Sequence, residues 1–94
     1  MHRARLTGRR LKILQLIAKG YKNEQIAIEM KLTLCNTKFQ KSRLYNFLCV
    51  RTQKDAVFVG LQMNLISFKE LSKANKEMIR KLKEVNKWVN IPSF

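Results

Sequence analysis

The residues best suited to chemistry lie between positions 22 and 43, and they suit binding rather than bond-making. Lys38, Lys41 and Arg43 stand in a polar run over 36–43, in which Phe39 is the one apolar residue. Thr33 and Asn36 sit where that run begins a helix. There, free backbone N–H groups and short hydroxyl or amide side chains suit a phosphate, although capping alone explains Thr33 equally well. Lys22 stands at the start of the preceding segment and is a similar phosphate candidate.

Catalytic chemistry lacks its parts. No Ser/His/Asp or Cys/His set, no glycine-rich phosphate loop and no paired carboxylates stand out. Cys35 and Cys49 show no CxxC spacing, and His2 is the only histidine, so neither a metal site nor a cofactor is expected. Both cysteines read as reduced thiols of a cytoplasmic protein. No apolar run approaches the length of a membrane span, and no signal peptide is visible.

The charge balance asks for a polyanionic partner. Twenty Lys and Arg against six Asp and Glu give a net charge of +14. Nucleic acid is the leading partner and an anionic membrane surface a distant second. Residues 1–22 carry seven bases and no acid, and His2, Arg3 and Arg5 form a basic N-terminal arm over 1–5.

Helical periodicity runs through the chain, and the turn clusters and alternation of strands are missing, so an all-α fold is expected. The first helix is predicted over 8–19, with Thr7 as cap, an apolar stripe of Leu11, Leu14, Ile17 and Ala18, and Gly20 as the left-handed stop. A second helix over 23–31 has Ile26, Ala27 and Met30 inside. Thr33 then caps a third over 34–48, with Leu34, Leu44, Tyr45 and Leu48 as its apolar positions. The polar N-terminal half of that helix should protrude. A fourth helix over 53–63 presents Ala56, Val57, Gly60 and Leu61.

From Ser67 a long amphipathic helix is predicted to about residue 90. Phe68, Leu71, Asn75, Met78, Leu82, Val85 and Val89 are spaced 3, 4, 3, 4, 3, 4, as in the seam of a coiled coil with Asn75 at an a position. Glu70, Glu77 and Glu84 are each followed three residues later by Lys73, Arg80 and Lys87, a ladder of exposed pairs. Ile79 and Trp88 widen the apolar stripe. Self-association, folding back onto the domain and capture of a protein partner are therefore all open for this helix.

The order of residues over 6–66 resembles the LuxR-type helix-turn-helix domain of LuxR and GerE. The matching positions are Leu6, Thr7, Arg9, Leu14, Gly20, Asn23, Ile26, Ala27, Lys38, Leu44, Leu48, Val50, Arg51, Ala56, Val57, Leu65 and Ile66, without a gap. The resemblance implies a four-helix domain whose third helix enters the major groove and whose fourth helix, with Val57 and Leu61, is the dimerisation face. By position it puts Lys38, Phe39 and Ser42 at base-facing sites. Lys38 would bond guanine or a phosphate, and Phe39 would touch a thymine methyl group. Several residues depart from the family pattern. Arg10 replaces a capping-box Glu, Lys22 a Ser, Thr37 a buried Val, Gln40 a His, Lys41 an apolar residue and Asn64 a Gly. The third helix should therefore pack less tightly, or Thr37 and Gln40 should satisfy each other.

The expectation is a sequence-specific, homodimeric regulator of transcription, bacterial or from a phage, with double-stranded DNA as partner. Without a sensor segment in these 94 residues, control by abundance or by a protein partner at the C-terminal helix is expected. The rival is an interaction protein that keeps the fold but captures another regulator through that helix. A sigma-factor region-four-like domain is a third reading.

Overall fold

A computed structural model describes Leu6 and residues 8–86, and over these it is all helical. The helices are α1 (Gly8–Ala18), α2 (Asn23–Met30), α3 (Leu34–Leu48), α4 (Gln53–Gln62) and α5 (Lys73–Asn86), with one 3-10 turn at Phe68–Glu70 before α5. Thr7, His2, Arg3, Arg5, Lys87, Trp88, Val89 and the side chain of Val85 lie outside the described residues.

Side-chain oxygens start the helices. The Thr33 hydroxyl accepts from the Asn36 N–H at 3.0 Å, and the Thr52 hydroxyl from the Asp55 N–H at 3.1 Å. At the start of α2, the Gln25 side chain accepts from the Lys22 N–H at 2.9 Å. Each of these bonds satisfies a donor that the helix itself cannot.

The four helix ends share one device. Tyr21, Leu32, Val50 and Leu65 each donate their N–H to the carbonyl five residues earlier, at 2.9–3.0 Å. The residue before each donor is left-handed: Gly20, Lys31, Cys49 and Asn64. This is the Schellman closure. Only one of the four positions holds the glycine that adopts it freely.

The core is one cluster under α1. Ile13, Leu14, Leu16, Ile17 and Ala18 are buried, a wider face than the predicted stripe, and Leu11 is only half-buried. Ile26 and Ala27 of α2, Leu44 and Leu48 of α3, and Ala56, Val57 and Leu61 of α4 complete it. Gly60 lets α4 approach α1, since a Cβ there would sit 3.2 Å from both Leu14 and Ile66 side chains. Val57 and Leu61, expected at a dimer face, are thus engaged inside the chain.

The segment after Ile66 departs most from expectation. No continuous helix starts at Ser67. After the 3-10 turn, Leu71 is extended, and α5 begins at Lys73. Leu71 enters the core, and so does Ile79, which has no solvent exposure. Asn75 faces α1: its amide donates to the carbonyls of Ile17 at 3.3 Å and Ala18 at 2.8 Å. Over Leu71–Ile79 the predicted seam is therefore spent on the chain's own domain. Ile79, read as merely widening the stripe, is its most buried member, while Met78 and Leu82 are half-buried. Of the predicted ion-pair ladder, Arg80–Glu77 forms at 2.9 Å, but Glu70 instead accepts from the Ser67 N–H.

Candidate nucleic-acid interface

Two helices build the candidate interface. α2 packs across α3, and the chain turns between them at Lys31 and Leu32. Leu44 and Leu48 anchor the C-terminal half of α3 in the core, as the sequence requires. The N-terminal half has a different anchor. Thr37 has no solvent exposure, and its hydroxyl donates to the Thr33 carbonyl at 2.9 Å. A polar residue is tolerated there because its one donor is satisfied one turn back.

Gln40 does not pair with Thr37, which was one of the two expected alternatives. Its Oε1 accepts from Arg10 Nε of α1 at 3.3 Å. The two departures from the family pattern, Arg10 and Gln40, thus meet each other and tie α1 to α3.

The exposed face of α3 carries Cys35, Lys38, Phe39, Ser42, Arg43 and Asn46. Of the residues singled out from the sequence, Lys38, Phe39, Ser42 and Arg43 stand exposed together on this face. Phe39 is 55% exposed, and the Arg43 guanidinium lies over its ring, 5.6 Å from the centroid. That contact holds both side chains outward and uses the ring face that favours a cation. No acid occurs anywhere in α3. Thr33 is exposed at the helix start and Asn36 half-buried beside it. Lys22 is exposed at the start of α2.

Lys41 does not join this face. It turns toward α2, where its Nζ donates to Asn23 Oδ1 at 2.7 Å and lies 5.9 Å from the Tyr45 ring centroid. Burial holds the Lys41 ammonium below its ordinary pKa and pushes the Tyr45 phenol above its own.

Sequence reasoning missed Cys35 and Asn46. Their spacing from Phe39 and Ser42 by four residues was the available signal, since such residues share one helix face. Cys49 is also exposed, in the left-handed position after α3. No group of His, Cys, Asp and Glu able to hold a metal ion occurs among the described residues. No helix among them is long and apolar enough to cross a membrane.

Comparison with known proteins gives the same fold reading. Residues 4–59 match the family GerE, bacterial regulatory proteins of the luxR family. Over 61 residues the chain is 41% identical to the response regulator protein VraR of Staphylococcus aureus, and equally to those of Staphylococcus saprophyticus and Staphylococcus epidermidis. The matched stretch is 65% of this chain and 29% of each relative, so the chain spans under a third of the length of the proteins it matches. No solved structure matches significantly. With more than half of its length matched and the helix-turn-helix in place at α2 and α3, the chain belongs to the luxR family of bacterial regulatory proteins, as a DNA-binding helix-turn-helix domain.

Proposed function

We propose that this domain reads specific DNA sequence through the exposed face of α3 in the major groove. One observation carries the reading: a helix seated in the core at Leu44 and Leu48 presents Lys38, Phe39, Ser42 and Arg43 together on its outer side, with no acid. Lys38 and Arg43 reach base edges or phosphates, and Phe39 meets a thymine methyl group. Thr33, Asn36 and Lys22 flank that face at two helix starts and position the backbone. With +14 net charge the affinity is strongly salt-dependent.

Two copies on two half-sites complete the proposal. Because Val57, Leu61, Leu71, Asn75 and Met78 are engaged inside the chain, pairing falls to the expected seam from Leu82 onward. The rival reading, a protein that captures a regulator through its C-terminal helix, needs a free apolar face on α5. Burial of Ile79 and Leu71 in the core leaves less of one.

The test is a gel-shift series with fragments selected from bacterial DNA. Lys38→Ala with Arg43→Ala should abolish the specific shift while helicity stays unchanged. An unchanged shift would mean that α3 is not the reader.

A further inference from the structure

Beside the outer face of α3 lies a cleft of ≈ 410 Å³. Asn23 of α2, Lys38, Lys41, Ser42 and Tyr45 of α3, and Arg51 of the turn into α4 line it. Three of these are cations, two are hydroxyls, and no acid lines the cleft.

We propose that this cleft binds one phosphate of the DNA backbone, with Lys41 as the principal ligand. The proposal rests on the major-groove reading of α3 and adds a contact that the outer face does not supply.

Lys41 makes the cleft more than a solvated patch. Its ammonium is partly withdrawn from water, yet its only hydrogen-bond partner among the described residues is the neutral Asn23 carbonyl oxygen. No carboxylate among them stands within ion-pair distance of it. An ammonium has three donors. One goes to Asn23, which fixes the nitrogen at 2.7 Å and leaves the other two for an anion. A desolvated cation without a counter-ion gains from any anion that fits. Lys38 and Arg51 set the same sign of potential from the other walls, and the Ser42 and Tyr45 hydroxyls can donate to phosphate oxygens. Lys38 and Ser42 also belong to the outer face, so a phosphate here sits at the edge of the groove that α3 would occupy.

The experiment compares the wild-type protein with Lys41→Met, which keeps an apolar stem against Tyr45 but removes the charge. Binding to a selected duplex and to a scrambled one is measured from 50 to 200 mM salt. Loss of one phosphate contact lowers the slope of log K against log salt by about 0.9. The affinity change across that range shrinks by roughly 3.5-fold, equally on both duplexes. Asn23→Asp, which sets a fixed carboxylate against the ammonium, gives the same loss and guards against a folding defect in the first variant. In parallel, inorganic pyrophosphate is titrated into DNA-free protein while the backbone amides of Asn23 and Arg51 are followed by NMR. Shifts that vanish in Lys41→Met are expected.

An unchanged slope in both variants, with wild-type binding intact, overturns the proposal and leaves the α3 reading standing. Pyrophosphate shifts with an unchanged slope assign the cleft to a free phosphate and overturn the DNA source. Absence of any DNA binding by wild type removes the α3 reading and this proposal together.

Discussion

The Asn75 side chain donates to the Ala18 carbonyl at 2.8 Å across 57 positions of sequence. Ser72 adds its own N–H to the same carbonyl at 2.9 Å. The C-terminal segment thereby caps α1 from a distance, and Gly20 makes room for it: a Cβ there would stand 3.1 Å from that of Ser72. Asn75→Leu separates this arrangement from a coiled-coil seam. In a seam, an apolar residue at this position strengthens pairing. Here it removes two hydrogen bonds, while the Ile17 and Ala18 carbonyls keep backbone donors from Gly20 and Ser72. A loss of about 1–2 kcal/mol is expected in urea unfolding, with no gain in mass in solution.

Ile79 provides a sharper test of the same segment. It is fully buried although it lies beyond the matched family region, which ends at residue 59. Ile79→Ala should destabilise the whole domain by roughly 2–4 kcal/mol. The exposed Ile28→Ala should stay within about 0.5 kcal/mol. Equal effects in thermal melts would mean that α5 does not belong to the core.

Cys49 holds a left-handed backbone with φ 60° at the end of α3. A side chain with a Cβ pays for that conformation, on the order of 1 kcal/mol. Cys49→Gly should therefore raise stability by about 0.5–1 kcal/mol, read from the shift of the urea midpoint. A fall would show that the thiol packs usefully.

Thr37→Val tests the polar anchor of α3. The Thr33 carbonyl accepts both the Thr37 N–H and its hydroxyl, each at 2.9 Å, so it keeps a donor when the hydroxyl goes. No orphan is created and apolar volume is gained, so the change should fall between neutral and about 1 kcal/mol stabilising. A loss above roughly 1 kcal/mol would show that the hydroxyl bond is worth more than its replacement.

The pH response above neutrality has two opposing parts. Lys41 has a folded pKa below its unfolded value of about 10.4, so its burial penalty is present at lower pH and relieved as pH rises toward that value. Tyr45 has a folded pKa above its unfolded value of about 10, so its contribution is lost as pH rises through the folded value. Tyr45→Phe should flatten the fall in melting temperature above about pH 10. An unaltered alkaline limb would assign that fall to other groups.

Much of this was legible before the structure. Thr33, the turn at Leu32 and the bounds of α3 followed from capping chemistry and period. The protrusion of the half that carries Lys38 and Arg43 followed from the polar run, while the outward placement of Phe39 and Ser42 came from the family resemblance. The failures were failures of long-range information. A 3-4 repeat says which residues share a stripe, but not what the stripe meets, so Asn75 looked like a register residue. It is in fact a cap for α1. Lys41 was expected to meet phosphate or base edges, and its bond to Asn23, 18 residues earlier, turns it from the outer face of α3 toward α2, which spacing within α3 does not reveal. Gln40 found Arg10, 30 positions away, instead of its near neighbour Thr37. Left-handed Lys31, Cys49 and Asn64 lack the glycine that would have announced them.

The most direct measurement is a selection of genomic fragments by purified protein at two salt concentrations, run beside Lys38→Ala and Phe39→Ala. The account predicts a sequence shared among wild-type fragments that persists at the higher salt, with the preferred bases changed or lost in the variants. Recovery without a shared sequence, or a shared sequence identical in all three proteins, would contradict the assignment of the α3 outer face as the reader.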